Sequence, residues 1–532
     1  MGIAFFTLTI FILKMATEIK KLLGGLQTRI EARQRVLNLI LTSVITMILT
    51  IGLTSCNESS SQGSSSNDAG DPFEAGVAVV DITPPVGFTK YGYANYQSGQ
   101  EGITSTGIKS PFYAKAIVFK QGDTKGAILV CDLIRMMRDL SSVVRERASE
   151  KTGIPFQNIS ISATHTHTGP TYRFKLRDYL NREAEGKLTD DDKSGYIAKL
   201  INGMVEALVA ADNQLQEVEL LSGIGTAEGV SFNRRYLMTD GRVRFGPGYL
   251  NPRIVRPAGP NDPNVHFLLL KPADSENFTA SLTVFANHLD TYGGTDFHAD
   301  YPYFLDQNLK NVFGEQFISV FGTGTCGNIN HVDVTRPAEF SQRKMITEKI
   351  GKTLAEAIKE TLPAAHQGKP GLKVLSRTVY LPLQDFTKEE LEWANNEKLK
   401  PLYTERVFLE GSRRLKILSL DTIRQREAVQ PSVSGEPWLF PAEIHTFRLD
   451  ERTAIVTIPG EIFVELGLKI KEHSPFENTL IIELANSNMY YVPDYNAYTQ
   501  GDYEPTQSRL APGSGEKIVE EVLNMLNQIN PD

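Results

Sequence analysis

Two histidines separated by one residue end a run of strand-like residues in the segment ISISATHTHTGP, residues 159–170. Side chains at positions i and i+2 of a strand lie on the same face of a sheet. His165 and His167 are therefore predicted to project together from a strand end, where a metal ion or a substrate can reach them. Imidazole nitrogen is a common zinc ligand, whereas a lone histidine is more often structural. The pair fits both a metal site and a structural role, and alone it does not decide between them.

Other side chains with useful chemistry lie in short motifs further along the chain. Arginine offers a planar fork that matches a carboxylate or carbonyl group. A strand-end carboxylate, or one tyrosine among the three in MYYVPDY, is more commonly structural when taken by itself. Side chains of these types are Arg234 in FNRR, Glu461 in PGE, and Tyr490 and Tyr491 in YYVP.

Short apolar runs alternate with amphipathic segments from residue 75 onward, which is typical of sheets and helices packed in layers. Apolar residues recur at helical spacing in residues 194–211, 345–358 and 516–527, and these are predicted as packing helices. The predicted fold class is mixed α/β, with layered β-sheets flanked by helices. The runs predicted as strands are AGVAVVDIT, AKAIVFK, GAILVCDLI, HFLLLK, SLTVFANHLD, AIVTIPGE and NTLIIELAN.

Residues 388–427 are strongly charged, with scattered apolar positions. This composition indicates a peripheral helical insertion rather than a core layer. Such an insertion is either a lid or a solvated surface excursion.

An apolar run near the start of the chain indicates export. Residues 36–53 follow Arg29, Arg33 and Arg35, and the run ends in LTSC, which is similar to the bacterial lipobox. Cys56 would then be the lipidated first residue. The alternative is an uncleaved membrane anchor, because the run is long enough to cross a bilayer. Both alternatives export the rest of the chain.

The chain is accordingly divided into three parts. Residues 1–55 are a lipoprotein export segment, residues 56–72 a Ser-rich tether that is too polar to pack, and residues 73–532 one catalytic domain. The protein is expected to be anchored to a bacterial membrane through the lipid on Cys56, in the periplasm or at the cell surface, with the outer membrane preferred.

The net charge argues against one class of function, and the cysteine content argues against stabilisation by disulfides. A formal net charge of -8 argues against a general nucleic-acid binder, because phosphate contacts need a basic face. Cys131 and Cys326 are the cysteines of the predicted folded body, so a disulfide framework does not stabilise it. Two buried thiols are favoured over one bridge, because Cys131 lies in an apolar run and free cysteine is commonly buried.

A series of motifs, in the same order over several hundred residues, resembles the neutral/alkaline (non-lysosomal) ceramidase family. The motifs are VDITPP with a following GYA, THTHTGP, FNRR, FANHLD, ADYP, GTCGNIN, PGE and YYVP. The similarity extends over about residues 75–504. It implies the catalytic fold of the neutral ceramidases and an enzyme that acts on a small-molecule substrate.

The resemblance also implies one zinc ion per chain. In the family, the metal is bound by the first histidine of the pair, a later histidine, the glutamate of PGE and a tyrosine near the end. These ligands correspond here to His165, His288, Glu461 and Tyr491, with Tyr490 as the alternative tyrosine. Nitrogen and oxygen donors of these types suit zinc, and a catalytic zinc site retains an open position.

Three further residues carry catalytic expectations from the resemblance. Arg234 matches the family's active-site arginine, and His167 would carry protons or contact substrate. Asn330 occupies the place of a serine implicated in ceramidase catalysis. Asparagine cannot act as a hydroxyl nucleophile, although it can donate a hydrogen bond. This departure puts ceramide hydrolysis in question.

The first functional hypothesis is hydrolysis of an N-acyl amide. A zinc-activated water would attack the amide carbonyl, Arg234 and the metal would stabilise the oxyanion, and His167 would move protons. The reaction requires an apolar channel for the acyl chain.

The second hypothesis is water elimination from an acidic oligosaccharide. The chain looks like a divergent bacterial branch of the family that includes an ulvan-oligosaccharide dehydratase. Zinc and Arg234 would hold a uronic carboxylate, and His167 or Tyr490 would take the proton from the neighbouring carbon. The product would carry an unsaturated uronic acid at the non-reducing end. A third hypothesis, a binding protein without activity, is disfavoured by the intact ligand set.

Overall fold

A computed structural model describes residues 71–91, 102–397, 405–433 and 435–530. The predicted export segment, Cys56 and the tether up to residue 70 lie outside these residues. In the described ranges, no helix has the length and apolar character needed to cross a membrane.

The strands range from 2 to 13 residues in length, and the helices fall between groups of them along the chain. The strands are β1 Phe73–Asp81, β2 Thr89–Lys90, β3 Ile103–Thr104, β4 Tyr113–Gln121, β5 Thr124–Cys131, β6 Ile159–Ala163, β7 Gln216–Thr226, β8 Phe232–Asn233, β9 Arg235–Met238, β10 Val243–Phe245, β11 Ile254–Pro257, β12 Asn264–Pro272, β13 Ala280–Phe285, β14 Ile318–Thr323, β15 Ile329–Asn330, β16 His366–Gln367, β17 Pro370–Pro382, β18 Leu439–Asp450, β19 Thr453–Thr457, β20 Glu461–Ile462, β21 Asn478–Ile482 and β22 Tyr491–Val492.

The α-helices range from a single turn to six turns. They are α1 Arg138–Thr152, α2 Arg173–Ala184, α3 Asp190–Ser194, α4 Tyr196–Asn213, α5 Tyr301–Phe313, α6 Met345–Thr361, α7 Lys388–Asn396, α8 Glu405–Arg426, α9 Val464–His473, α10 Tyr495–Gln500, α11 Tyr503–Gln507 and α12 Ser514–Ile529.

Two sheets form the centre of the protein. The larger has the strand order β14-β13-β12-β7-β1-β4-β5-β6, with β16 also paired to β7, and the smaller has the order β17-β18-β19-β21. Most neighbours are antiparallel, but β13 and β14, β5 and β6, and β19 and β21 are parallel pairs. Every residue of β6, β13, β19 and β21 is buried. Strands covered on both faces are rich in apolar residues, and three of these four, β13, β19 and β21, were predicted from such runs.

The two sheets pack face to face, and helices cover their outer faces. Side chains such as Ile117 and Leu268 of the large sheet meet Phe447 and Leu480 of the small one in a shared apolar layer. Helices α1 and α4 cover one half of the large sheet and α5 and α6 the other. Helices α9 and α12 cover the small sheet. Burial of each large aliphatic side chain contributes roughly 1.5 to 3 kcal/mol, so these layers hold the strand ends in place.

The mixed α/β fold class with layered sheets and flanking helices is confirmed. Two predicted strands end early: SLTVFANHLD is extended through Phe285, and AIVTIPGE through Thr457. In both cases the chain leaves the sheet just before a candidate site residue, His288 in the first and Glu461 in the second.

Residues 388–427 contain α7 and α8, as the composition indicated. The segment is less peripheral than expected, because Leu420 and Ile423 of α8 are buried in the apolar cluster outside the small sheet.

Candidate metal centre

The candidate ligands follow the carboxyl ends of buried strands. His165 comes two residues after β6, His288 three residues after β13, and Glu461 opens β20 after the turn that ends β19. Glu461 and Tyr491 face each other as partners in the parallel pair of β20 and β22. The packing of the two sheets thus brings together candidate ligands that are far apart in the sequence.

Hydrogen bonds tie these strand ends together. The amide of Ala163 donates to the carbonyl oxygen of Leu484 at 3.4 Å, and the amide of Glu483 donates to that of Thr323 at 2.9 Å. The hydroxyl of Thr323 donates to the carbonyl oxygen of Thr164 at 2.7 Å. The segments around His165, β14 and the end of β21 are therefore mutually braced.

Several residues around the centre have left-handed backbone conformations. His165 has φ 73°, Leu484 φ 60°, Asn486 φ 58° and Tyr490 φ 60°. Such angles are uncommon for residues other than glycine and persist where the surroundings over-determine them. The histidine pair follows the end of β6 at Ala163, as predicted, but the chain has already turned there, so strand spacing is not what brings the two rings together.

Two imidazoles and one carboxylate converge on a common point. The Nε2 atoms of His165 and His288 each lie 3.5 Å from Oε2 of Glu461. The Nδ1–H of His165 donates to the carbonyl oxygen of Ile134 at 2.6 Å, and that of His288 to the carbonyl oxygen of Cys326 at 2.8 Å. Because a carbonyl oxygen only accepts, both rings carry a proton on Nδ1 and direct Nε2 toward Glu461.

Burial and charge keep His288 and Glu461 in a metal-binding protonation state. Burial lowers the pKa of His288 to about 4, and the charge of Arg234 acts in the same direction. Burial raises the pKa of Glu461, but the adjacent imidazoles of His165 and His288 outweigh it and hold that pKa well below its usual range. A neutral His288 imidazole and an ionised carboxylate are the forms that coordinate a divalent cation.

His167 also lies at the centre. Its Nε2 is 3.4 Å from Nε2 of His165, and its ring centroid is 5.8 Å from that of His288. The ligand atoms of the three histidines all lie within 4.8 Å of one another. Burial, followed by the neighbouring His165, lowers the pKa of His167 well below its usual value. The structure therefore places a third imidazole nitrogen at the centre, next to those of His165 and His288.

Tyr491 lies beside the candidate metal centre, where its hydroxyl accepts a hydrogen bond from Arg234. The guanidinium of Arg234 donates to the Tyr491 hydroxyl at 3.1 Å and to the carbonyl oxygen of Gly327 at 2.7 Å. Its Nε donates to Oε1 of the fully buried Glu504 at 2.9 Å. Burial and the Glu461 carboxylate raise the pKa of Tyr491 well above its usual value. Arg234 is thus held in one orientation by Glu504.

The side chains of Tyr490 and Asn330 do not join the candidate metal ligands. The carbonyl oxygen of Tyr490 accepts a hydrogen bond from the amide of Glu461 at 2.9 Å, but its ring packs against Arg509 and Arg135. The side-chain oxygen of Asn330 accepts from the amide of Val332 at 3.0 Å. Neither side chain forms part of the convergent group of ligand atoms.

Two carboxylates were missed by the sequence reasoning. Asp290 accepts a hydrogen bond from Nδ1 of His331 at 3.0 Å. Burial raises its pKa, but His331, His167 and His288 hold it well below the usual range. Its position two residues after His288, in NHLD, was an available signal.

Glu483 is the second missed carboxylate, and it supports the ligand loops. It accepts from the amides of Ile462 at 2.7 Å and Cys326 at 3.3 Å. Burial raises its pKa well above the usual range. No pattern in NTLIIELAN distinguishes it. Cys326, which lies beside it, and Cys131 are both free and buried, as favoured from the sequence.

The fold and the site together define a layered α/β protein with a candidate divalent-metal centre of histidine and carboxylate donors. Residues 73–243 match the family model described as "Neutral/alkaline non-lysosomal ceramidase, N-terminal". The family likeness inferred from the motifs is thus supported for this part of the chain.

Relatives and solved structures are consistent with that match. A neutral ceramidase of Mycobacterium tuberculosis (strain ATCC 25618 / H37Rv) is 26% identical over 165 residues, which are 30% of this chain and 24% of that protein. The aligned part thus spans about a quarter of that relative. The neutral ceramidase structure from Pseudomonas aeruginosa superposes with a TM-score of 0.62 at 17% identity, covering 87% of this chain and 76% of the other. A structure titled "Ceramidase complexed with C2" gives the same TM-score and identity. The fold is that of the neutral ceramidase catalytic domain.

Proposed function

We propose that this chain is a zinc-dependent hydrolase that cleaves an N-acyl amide. The observation that carries the proposal is the convergence of His165 and His288 on Oε2 of Glu461, at 3.5 Å each. The match of residues 73–243 to the ceramidase family model supports the reaction class.

The donor set fits a zinc ion. The buried atoms Nε2 of His288 and Oε2 of Glu461 have no hydrogen-bond partner among the residues that the structure describes. Buried polar atoms are costly unless paired, so a cation between them accounts for the arrangement. His165, His288 and Glu461 would hold the metal, with Tyr491 or His167 completing the set. When bound, zinc supplies Lewis acidity and a water of lowered pKa.

The remaining residues orient the substrate and move protons. Arg234, fixed by Glu504 and Gly327, presents donors beside Tyr491 and would stabilise the oxygen of an amide carbonyl as it gains charge. His167 lies within hydrogen-bond distance of His165 and would pass a proton to the leaving amine.

Metal analysis tests the centre directly. Purified wild-type protein is expected to carry one zinc per chain by mass spectrometry, and His288→Ala and Glu461→Gln are expected to lose it. His473→Ala is the control, because its ring bonds to the carbonyl oxygen of Lys469 on the exposed side of α9. Wild-type protein that binds no divalent metal, or a Glu461→Gln variant that binds it as tightly as wild type, would refute the centre.

Two further variants decide the fourth donor. If Tyr491 completes the set, Tyr491→Phe lowers zinc affinity while His167→Ala retains the metal and loses turnover. If His167 is the donor, the metal loss appears in His167→Ala instead. Turnover is measured as amine released from a fluorescent N-acyl sphingosine, with and without a chelator. Absence of chelator-sensitive amine release contradicts amide hydrolysis.

A second candidate function is water elimination from a uronic-acid oligosaccharide. Asn330 favours it, because the side chain in the place of the family's serine is an amide that bonds to the Val332 amide. The assay is the absorbance of an unsaturated uronate on incubation with acidic oligosaccharides. Appearance of that band without amine release selects elimination. Gain of amidase activity in Asn330→Ser would instead indicate simple divergence from an amidase.

Export and lipid anchoring complete the proposal. The LTSC sequence after an apolar run supports lipidation of Cys56. Radiolabelled palmitate is expected to be incorporated into full-length protein made in a Gram-negative host, and to be lost in Cys56→Ala. A labelled Cys56→Ala variant would contradict the anchor.

A further inference from the structure

A small separate sheet exposes several large apolar side chains. Its strands have the order β10-β9-β11, and both neighbours of β9 are antiparallel to it. One face of the sheet is buried through Tyr236, which packs against Val334. By contrast, Tyr249 is 39% exposed and Leu250 58% in the segment that leads into β11, and Val255 is 56% exposed in the strand itself. Large apolar side chains left in water this close together in the chain mark an interaction surface.

Backbone contacts hold these side chains in their exposed positions. Leu250 has φ 51°, which is uncommon for a bulky residue, and its amide donates to the carbonyl oxygen of Val334 at 2.8 Å. The side-chain amide of Asn251 donates to the carbonyl oxygen of Pro247 at 2.7 Å. Val255 occupies a β-bulge in the pairing of β11 with β9, and bulges redirect side chains at sheet edges. The exposure is therefore fixed by the tertiary structure of the segment.

Positive charge is concentrated in the same stretch of chain. Residues 237–257 contain four arginines and one carboxylate, Asp240, although the whole chain has a formal net charge of -8. Three of these arginines are exposed and, among the residues that the structure describes, have no carboxylate within ion-pair distance: Arg242, Arg253 and Arg256. The guanidinium of Arg256 donates to the carbonyl oxygen of the neighbouring Pro257 at 3.0 Å. The surface around the apolar side chains is therefore basic.

Hydrogen bonds bring two of the arginines to the end of the sheet where β11 begins. The amide of Met238 donates to the carbonyl oxygen of Arg242 at 2.9 Å, and the amide of Thr239 donates to that of Arg253 at 2.8 Å. Because β9 and β11 are antiparallel, the turn after β9 lies beside the residues that enter β11. Leu250 precedes Arg253 by three residues, so the apolar and the basic side chains share one end of the sheet.

An anionic bilayer satisfies both kinds of side chain at once. Apolar side chains enter the boundary between headgroups and acyl chains, and tyrosine is favoured at that depth. Arginine keeps its stem along apolar surface while its guanidinium contacts lipid phosphates. A soluble polyanion would pair with the arginines but leave Leu250 and Val255 in water. An apolar face of another protein would cover those two residues and leave the arginines without a counter-ion.

We propose that residues 239–257, the docking segment, bind this protein to the surface of an anionic lipid bilayer. The exposed apolar side chains of the segment would enter the headgroup region, and its exposed arginines would contact the phosphates. The proposal goes beyond the hydrolase and holds whichever reaction the candidate centre performs. The amide of Gly246 donates to the carbonyl oxygen of Arg234 at 2.9 Å. Docking would therefore hold the arginine of the candidate metal centre close to the membrane.

Sedimentation with lipid vesicles tests the docking directly. Residues 70–532 form one compact unit that contains every described strand and helix, so this unit is tested without the apolar run and Cys56. Circular dichroism and a cooperative unfolding transition verify that it folds. It is expected to bind vesicles of phosphatidylglycerol and phosphatidylcholine at least about tenfold more tightly than vesicles of phosphatidylcholine alone, and to dissociate as salt rises.

Matched variants locate the binding surface. Leu250→Ser is expected to weaken binding to the anionic vesicles about tenfold, because a large aliphatic side chain no longer leaves water. Arg253→Gln and Arg256→Gln are each expected to weaken it about fivefold, the contribution of one cation near an anionic surface. The controls are Val312→Ser, at a 40% exposed position of α5, and Arg426→Gln, at the exposed end of α8; both should bind like wild type.

The outcomes separate this inference from the proposed function, because the vesicle assay is run in chelator. No binding, equal binding to anionic and neutral vesicles, or Leu250→Ser and Arg253→Gln variants that bind like their controls would overturn the docking segment, even if the protein holds zinc and cleaves an amide. Self-association that is measured by analytical ultracentrifugation and lost in Leu250→Ser would also overturn it, in favour of a second copy of the chain. A preference for anionic vesicles that these variants lose upholds it, even if no metal is bound.

Discussion

Replacement of Glu504 by glutamine is the sharpest test of how the arginine beside the centre is held. Glu504 is fully buried, and its two oxygens accept from Nε of Arg234 at 2.9 Å and from Nη1 of Arg235 at 3.3 Å. Glutamine keeps the shape but removes the charge, and its amide group turns donors toward a guanidinium. Two buried cations then lose their carboxylate partner.

The expected cost follows from the burial of this ion pair. Loss of one partner of a buried pair typically destabilises a protein by about 3 to 5 kcal/mol, because the remaining charge stays buried and uncompensated. We expect Glu504→Gln to lose about that much in the free energy of unfolding. Turnover should fall as well, because Arg234 is no longer fixed against Tyr491.

The assay is urea unfolding followed by fluorescence, with Glu356→Gln as the matched control. Glu356 forms an exposed pair with Lys352 at 3.6 Å on α6. Its substitution is expected to cost less than about 1 kcal/mol, as exposed pairs usually contribute little. Equal unfolding midpoints for the two variants would refute the reasoning about Glu504.

Two further predictions concern a close backbone approach and pH. Gly327→Ala is expected to lower the free energy of unfolding by about 1 to 3 kcal/mol, because a Cβ there would lie 2.6 Å from the carbonyl oxygen of Glu461. It should also weaken zinc binding, measured by competition with a chelator. The control is Gly411→Ala on α8, where a Cβ would have nothing within 4 Å, and it should be neutral or stabilising. Burial lowers the pKa of His445 to about 4 in the folded state, against about 6.5 when unfolded. Its protonation therefore favours the unfolded chain, and about 3 kcal/mol of stability should be lost as pH falls from about 6.5 to 4. Urea unfolding measured as a function of pH should show a smaller loss of stability in His445→Gln than in the wild-type protein. An equal loss in both proteins contradicts the assignment to His445.

The local pattern of apolar residues in the sequence was sufficient to predict several of the strands and helices. Apolar runs such as AKAIVFK and NTLIIELAN predicted β4 and β21, and helical spacing predicted α4, α6 and α12 within a few residues. These predictions succeed because strand and helix periodicity is written in neighbouring residues. The strand ends were less predictable, since the turns before His288 and Glu461 depend on contacts made by other parts of the chain.

The sequence by itself identified the paired histidines as the place to look for chemistry, and the family resemblance added His288, Glu461 and Tyr491. Only the tertiary structure decided that His165 and His288 converge on one carboxylate oxygen, and that His165 does so from a left-handed turn. It also packed Arg135 and Arg509 against the ring of Tyr490, although no motif marks either arginine. The physical reason is that periodicity specifies which face a side chain takes within its own element. Which loops then meet is decided by the packing of whole sheets, and that information is spread over the entire core.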